Sequence, residues 1–271
     1  MIIRWNAPTE SGLADRLTDI FYMATYGRVR NSTICFAWKD FKPNPSLDVK
    51  HRSVDILLEN VQKYISFPKE INCSKANCIK FDATFDNYIG GSMKSEDFYR
   101  TYLASICSEE KFQTTLAEVA KDFIFSEEIR SHLNTLPDNF VTFHIRRGDK
   151  VRKGSHDGYS ITNDELNWLN DITYKSIDYY INQGFEDFFI CGDEDYKTTP
   201  FINYIHSKNK RTFTSPDNLQ KWQKTYYDLG IMTKSKVNVT SQRFSSFSRF
   251  PSLIGNGVFR TVIGLSDEGI I

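Results

Sequence analysis

The sequence lacks a long hydrophobic run, a surplus of either charge and a dense set of cysteines, and each absence narrows what the chain can be. No stretch of its 271 residues approaches the roughly 18–20 apolar residues that cross a bilayer. A helical membrane protein is therefore excluded, and peripheral association is the remaining route to a lipid surface. The apolar start breaks at Arg4, so the sequence predicts no signal-peptide core. With 34 basic and 34 acidic side chains the formal net charge is zero. That argues against a nucleic-acid partner gripped along the whole chain, because neutralising phosphates takes surplus Lys and Arg. Five cysteines stand at 35, 73, 78, 107 and 191. The only close pair, Cys73 and Cys78, is spaced too widely for a redox CxxC, and the five histidines do not gather beside the thiols as a structural zinc site requires. Unpaired thiols and a cytoplasmic location are the expectation. On that basis the Asn-x-Ser/Thr triplets at Asn31, Asn72 and Asn238 are chance matches. Internal repeats and low-complexity segments are also missing.

What is present is an ordinary soluble composition, 40% apolar and 25% charged. At roughly 150 residues per domain, the length suits two modest domains. Met1–Trp5 reads as a strand. Leu13, Leu17, Ile20, Phe21 and Ala24 then fall on one helical face, and Thr33–Trp38 is a second strand, which makes a βαβ start. Helices are expected over Val54–Ile65 and Phe112–Phe125, with a strand at Ile79–Phe81. The second half alternates more cleanly. Strands are predicted at Phe140–Ile145, Phe185–Cys191, Arg211–Thr214 and Val237–Thr240, separated by helical patterns that include Asp164–Asn182 and a run from about Asn218. The boundary is placed in the turn-rich Thr135–Asn139 segment, dividing the chain into domains 1–136 and 137–271. The fold class read from this is α/β, with two Rossmann-type doubly wound domains.

The strongest local feature is His144-Ile145-Arg146-Arg147-Gly148-Asp149-Lys150, where a buried strand runs out into a loop. Ligands bind at this end of parallel strands. Arg146, Arg147, Lys150, Arg152 and Lys153 place five cations within eight residues of a neutral chain. The planar guanidinium donates paired hydrogen bonds to phosphate oxygens, so the cluster suits a diphosphate. Phe188–Asp195 is a second apolar strand that ends in acids, Asp193 and Asp195.

The heptapeptide resembles the HxRRxD signature of the fucosyltransferase superfamily, which spans α-1,2-, α-1,6- and protein O-fucosyltransferases. Other segments fit in the same order. Gly12-Leu13-Ala14-Asp15-Arg16-Leu17 looks like the family's N-terminal glycine loop and helix. Phe188–Asp195 is similar to its strand with paired acids, Asp228-Leu229-Gly230-Ile231-Met232-Thr233 to its Asp-containing helix, and Ser245–Ser248 to its SSFS element. The resemblance implies a GT-B-like fold with two domains facing a cleft and the donor held mainly by the C-terminal domain. It implies an inverting transfer of fucose from GDP-fucose to a glycan hydroxyl, as in polysaccharide biosynthesis, with no metal and no cofactor beyond the donor substrate. Arg146 and Arg147 are then the catalytic cations. Gly12, His144, Arg146, Asp149, Asp193, Asp228, Ser245, Ser246 and Ser248 form the donor site, with Asp228 and His144 reading guanine. The general base is Asp157 or His156, unless the departing phosphate takes the proton itself.

Three other readings compete. The donor could be another GDP-linked deoxyhexose or heptose. An apolar strand followed by Asp193-x-Asp195 is also the pattern by which metal-dependent GT-A enzymes hold a divalent ion. A carbohydrate-binding protein without turnover is the non-enzymatic alternative.

Overall fold

The computed structural model describes residues 2–6, 12–38, 56–74, 103, 105–146, 162–192, 195–242 and 245–271. The chain forms two compact units, one drawn from residues up to Ser126 and one running from Glu127 to Ile271.

The first unit opens with the expected βαβ start: β1 (Ile2–Asn6), α1 (Leu13–Val29) and β2 (Thr33–Ala37), with β1 and β2 parallel. The face of α1 read from the sequence is buried at Leu13, Leu17, Ile20, Phe21 and Ala24. The helix α2 (Leu58–Tyr64) is shorter than predicted and runs directly into β3 (Ile65–Ser66). A third parallel strand, β4 (Ile71–Ser74), completes the sheet in the order β1-β2-β4. The second predicted helix also ends early. As α3 (Glu109–Lys121) it is capped by the Ser108 side chain, and β5 (Ile124–Phe125) follows and pairs antiparallel with β3. The strand expected at Ile79–Phe81 lies outside the described residues.

Cysteine pairing departs from expectation. Cys35 is disulfide-bonded, while Cys73, Cys107 and Cys191 are free. Disulfides persist mainly in oxidising compartments, so cysteine usage no longer argues for a cytoplasmic chain. No helix among the described residues is long and apolar enough to cross a membrane.

The second unit begins with α4 (Glu127–Leu133). Lys234, the last residue of a later helix, ties down the end of this one by donating to the carbonyls of Leu133 (3.0 Å) and Leu136 (2.8 Å). Its sheet contains β6 (Phe140–Ile145), β7 (Asp187–Gly192), β8 (Arg211–Phe213), β9 (Val237–Thr240) and β10 (Val258–Thr261). All five are parallel, in the order β10-β9-β6-β7-β8. The connecting helices are α5 (Asn163–Asn182), α6 (Asp195–Ser207), α7 (Lys221–Lys234) and α8 (Ser246–Ile254), with α9 (Val262–Asp267) at the end. A reciprocal box starts α5: the Thr162 hydroxyl accepts from Glu165 N–H and the Glu165 carboxylate accepts from Thr162 N–H.

The two-residue period of β6 sorts its side chains between faces. Val141, Phe143 and Ile145 pack with Leu169, Ile172 and Ile177 of α5, Phe201 and Ile205 of α6, and Val262 of α9. Phe140 faces the other way, with Ile231 and Met232 of α7 and Phe247 of α8. Helices therefore cover both faces, the doubly wound arrangement read from the alternation. The strand order reverses between β6 and β9, which makes their C-terminal ends the topological switch point where such sheets bind ligands.

Candidate functional site

At that switch point β6 ends in His144 and Ile145, and Arg146 is the first residue beyond it. His144 is 4% exposed and pairs in register with Thr240 of β9 and Cys191 of β7. Its Nδ1 lies 2.7 Å from the Ser248 hydroxyl and 3.3 Å from the Ser245 hydroxyl. The Phe247 ring packs against the imidazole with centroids 5.1 Å apart. Three of the four residues of the Ser-Ser-Phe-Ser segment thus converge on a histidine more than a hundred positions earlier.

Ser245 stands at the N-cap of α8, yet its side chain caps no helix N–H. Its backbone carbonyl accepts from Ser248 and Arg249, while its hydroxyl turns to His144. The start of α8 therefore lacks the side-chain acceptor that usually meets its leading N–H groups, and helix N-termini in that state attract anions.

Arg146 is half-buried, and its main chain is held from both sides. Its N–H donates to the Ser241 hydroxyl (3.1 Å), and its carbonyl accepts from the Gln242 amide (2.8 Å). Ser241 N–H in turn donates to the His144 carbonyl at 3.1 Å. The sequence reading passed over Ser241 and Gln242. Two polar residues after an apolar strand carry no distinctive local signal.

Gly192, the last residue of β7, also shapes this edge. A Cβ there would lie 2.6 Å from the Ile145 carbonyl oxygen and 2.9 Å from the Thr198 methyl. Any side chain would push β7 away from the strand that presents Arg146. Below the site, the face toward α8 is unusually polar. Thr142, Asn238 and Thr240 are fully buried, and Asn238 donates to the Met232 carbonyl and the Ser252 hydroxyl, each at 2.9 Å. The Asn238 triplet therefore cannot present its amide to solvent.

Asp228 lies on α7, half-buried, and accepts from the hydroxyl of Ser215 just beyond β8. Gly12 belongs to the first unit. It precedes α1, and its N–H donates to the Asp15 carboxylate at 3.1 Å. One turn further along α1, Arg16 is wholly buried, with its guanidinium 5.0 Å from the Trp38 ring centroid. Ser246 opens α8 and is half-buried. Arg147, Asp149, His156, Asp157 and Asp193 lie outside the described residues, as does the side chain of Asp195. Among the described residues no group of three His, Cys, Asp or Glu could hold a metal ion.

No family model and no curated protein matches this sequence. Solved structures do. The fucosyltransferase NodZ from Bradyrhizobium matches with a TM-score of 0.51, 11% identity, and coverage of 94% of this chain and 92% of that one. The NodZ α-1,6-fucosyltransferase co-crystallised with GDP gives 0.52 at the same identity and coverage. POFUT1 in complex with GDP-fucose covers 96% of this chain at 12% identity, with a TM-score of 0.49. At 11% identity the NodZ match speaks to architecture and leaves residue roles to the site itself. The fold expected from the motif resemblance is met: this chain has the architecture of a solved fucosyltransferase over nearly its whole length.

Proposed function

We propose that the chain is an inverting glycosyltransferase that moves fucose from GDP-fucose to a glycan hydroxyl. One observation carries this reading. His144, Arg146, Ser245 and Ser248 meet at the switch point of the second sheet, in a fold shared with an enzyme whose structures were obtained with GDP and GDP-fucose.

Transfer leaves negative charge on the departing diphosphate, which fixed donors must stabilise. Arg146 supplies a two-pronged cation at the end of β6, and the start of α8 supplies N–H groups beside Ser245 and Ser246. The Ser248 hydroxyl fixes the His144 ring, so the imidazole is held in one orientation. Guanine offers N1–H and an exocyclic amine to a carboxylate, and Asp228 is assigned that contact, with His144 as its companion. Arg147, Asp149 and Asp193 join the donor site, and Asp157 the base role, on the strength of the motif resemblance.

The proposed reaction is metal-independent, because the cations of the 146–153 segment can take the place of a divalent ion. Calorimetry with GDP, ADP and UDP, followed by GDP-fucose turnover in excess EDTA, tests the proposal. The expected result is GDP binding at least about tenfold tighter than UDP, since one mispaired buried polar contact costs about 1–3 kcal/mol, and turnover that persists in EDTA. Absence of GDP binding would overturn the proposal. Turnover lost in EDTA and restored by manganese would move the assignment to a metal-dependent transferase using Asp193 and Asp195.

A further inference from the structure

We propose that Gln242 and Ser241 are positioning residues for Arg146, setting its guanidinium without touching the donor. The inference rests on the assignment of Arg146 to the diphosphate. Its structural basis is the pair of hydrogen bonds to the Arg146 main chain. The N–H bonded to Ser241 belongs to the peptide before the Arg146 Cα, and the carbonyl bonded to Gln242 belongs to the peptide after it. With both peptide planes pinned, φ and ψ of Arg146 are fixed, and so is the direction of its Cα–Cβ bond.

The pins come from outside the local chain. Ser241 and Gln242 directly follow β9, and the Ser241 N–H to His144 bond extends the β6–β9 pairing beyond the last strand residue. The Gln242 side chain then does what the next rung of a ladder would do. Ser241 is wholly buried and Gln242 is 8% exposed, so these bonds are shielded from competing water. A catalytic cation must already sit in place when charge develops on the leaving group, and misplacement by about 1 Å costs roughly a hundredfold. A loop residue that followed β6 with nothing holding its peptides could not meet that demand. The two residues that follow the neighbouring strand supply the hold, a few positions before Ser245 and Ser248 at the start of α8.

The substitution Gln242→Glu keeps the size of the side chain but turns a donor into an oxygen facing the Arg146 carbonyl. Gln242→Met removes the donor without adding charge and serves if the first variant does not fold. Both are expected to lower kcat for GDP-fucose turnover by roughly tenfold to a hundredfold. KM for GDP-fucose and Kd for GDP should stay within about threefold, because the donor contacts themselves are intact. Gln242→Glu should recover part of its kcat as pH falls, since the protonated carboxyl can donate to the carbonyl again. In an Arg146→Ala background, neither Gln242 substitution should reduce kcat further. Full additivity with Arg146→Ala, or an unchanged kcat in both single variants, would overturn the inference while leaving the proposed activity standing. A parent protein that neither binds GDP nor turns over GDP-fucose would overturn the proposed activity, and the positioning role with it.

Discussion

In the first unit the charged side chains drawn out of water are held by partners within that unit. Arg28, at the end of α1, makes a bidentate contact with Glu70 (2.9 and 2.8 Å) and bonds Asp122, which joins α1 to the turn before β4 and to the end of α3. Arg16 is buried against Trp38. At the site in the second unit the buried polar groups are hydroxyls, an amide and an imidazole: His144 near the end of β6, Ser241 and Gln242 just after β9, and Ser245 and Ser248 at the start of α8. The physical consequence differs. Opposite charges in close contact satisfy one another and fasten three elements, so they have little to offer an incoming ion. Hydroxyl–imidazole and side-chain–main-chain bonds hold the Arg146 backbone and the start of α8 in position, where the proposed diphosphate would meet them. A polar depression of about 660 Å³ lies beside Arg28, yet Arg28, Glu70, Glu118 and Asp122 on its wall are already paired with one another. Volume alone does not mark a site.

That contrast can be broken first at Arg146. Arg146→Ala should lower kcat about a hundredfold to a thousandfold, or roughly 2.7–4 kcal/mol in the barrier, with little change in thermal midpoint. Arg146→Lys should not restore the rate, because an ammonium lacks the planar fork. Steady-state turnover beside a melting curve checks both. The mirror image is Arg28→Met, which leaves the largely buried Glu70 without its partner. Stability should fall by about 3 kcal/mol in denaturant unfolding, with GDP affinity unchanged. Asp228→Asn should weaken GDP by about 1–3 kcal/mol while sparing pyrophosphate, as read by calorimetry with each. Equal losses for the two ligands would detach Asp228 from the base.

The smallest effect concerns pH. Burial pulls the His132 imidazole below its usual 6.5, and its ring packs on Tyr227. A depressed value means the neutral form is favoured in the folded chain. The stabilisation is therefore present above pH 6.5 and lost as pH falls through the folded value. Melting points of the parent should drop more steeply on acidification than those of His132→Phe, which keeps the ring contact.

Much of the second unit was legible in the sequence because its central strands are covered on both faces. Phe140–Ile145 and Asp187–Gly192 are compact apolar runs with clear punctuation, and His144 and Arg146 stand where the first of them stops. The short strands were not legible. Ile71–Ser74 shows no alternation, and Ile65–Ser66, Ile124–Phe125 and Val258–Thr261 are too brief to impose a period. The support of the site was hidden for a different reason. Ser241 and Gln242 act through main-chain bonds to a residue 95 positions earlier in the chain for Ser241 and 96 for Gln242. That pairing exists only once β9 lies beside β6.

Hydrogen–deuterium exchange with and without GDP tests the central claim most directly, because it reads both units in one experiment. The account predicts GDP-dependent protection centred on peptides covering residues 140–146 and 240–249, with residues 24–34 and 118–122 around Arg28 unchanged. Protection confined to the Arg28 region, or none at the ends of β6 and β9 under saturating GDP, would contradict it.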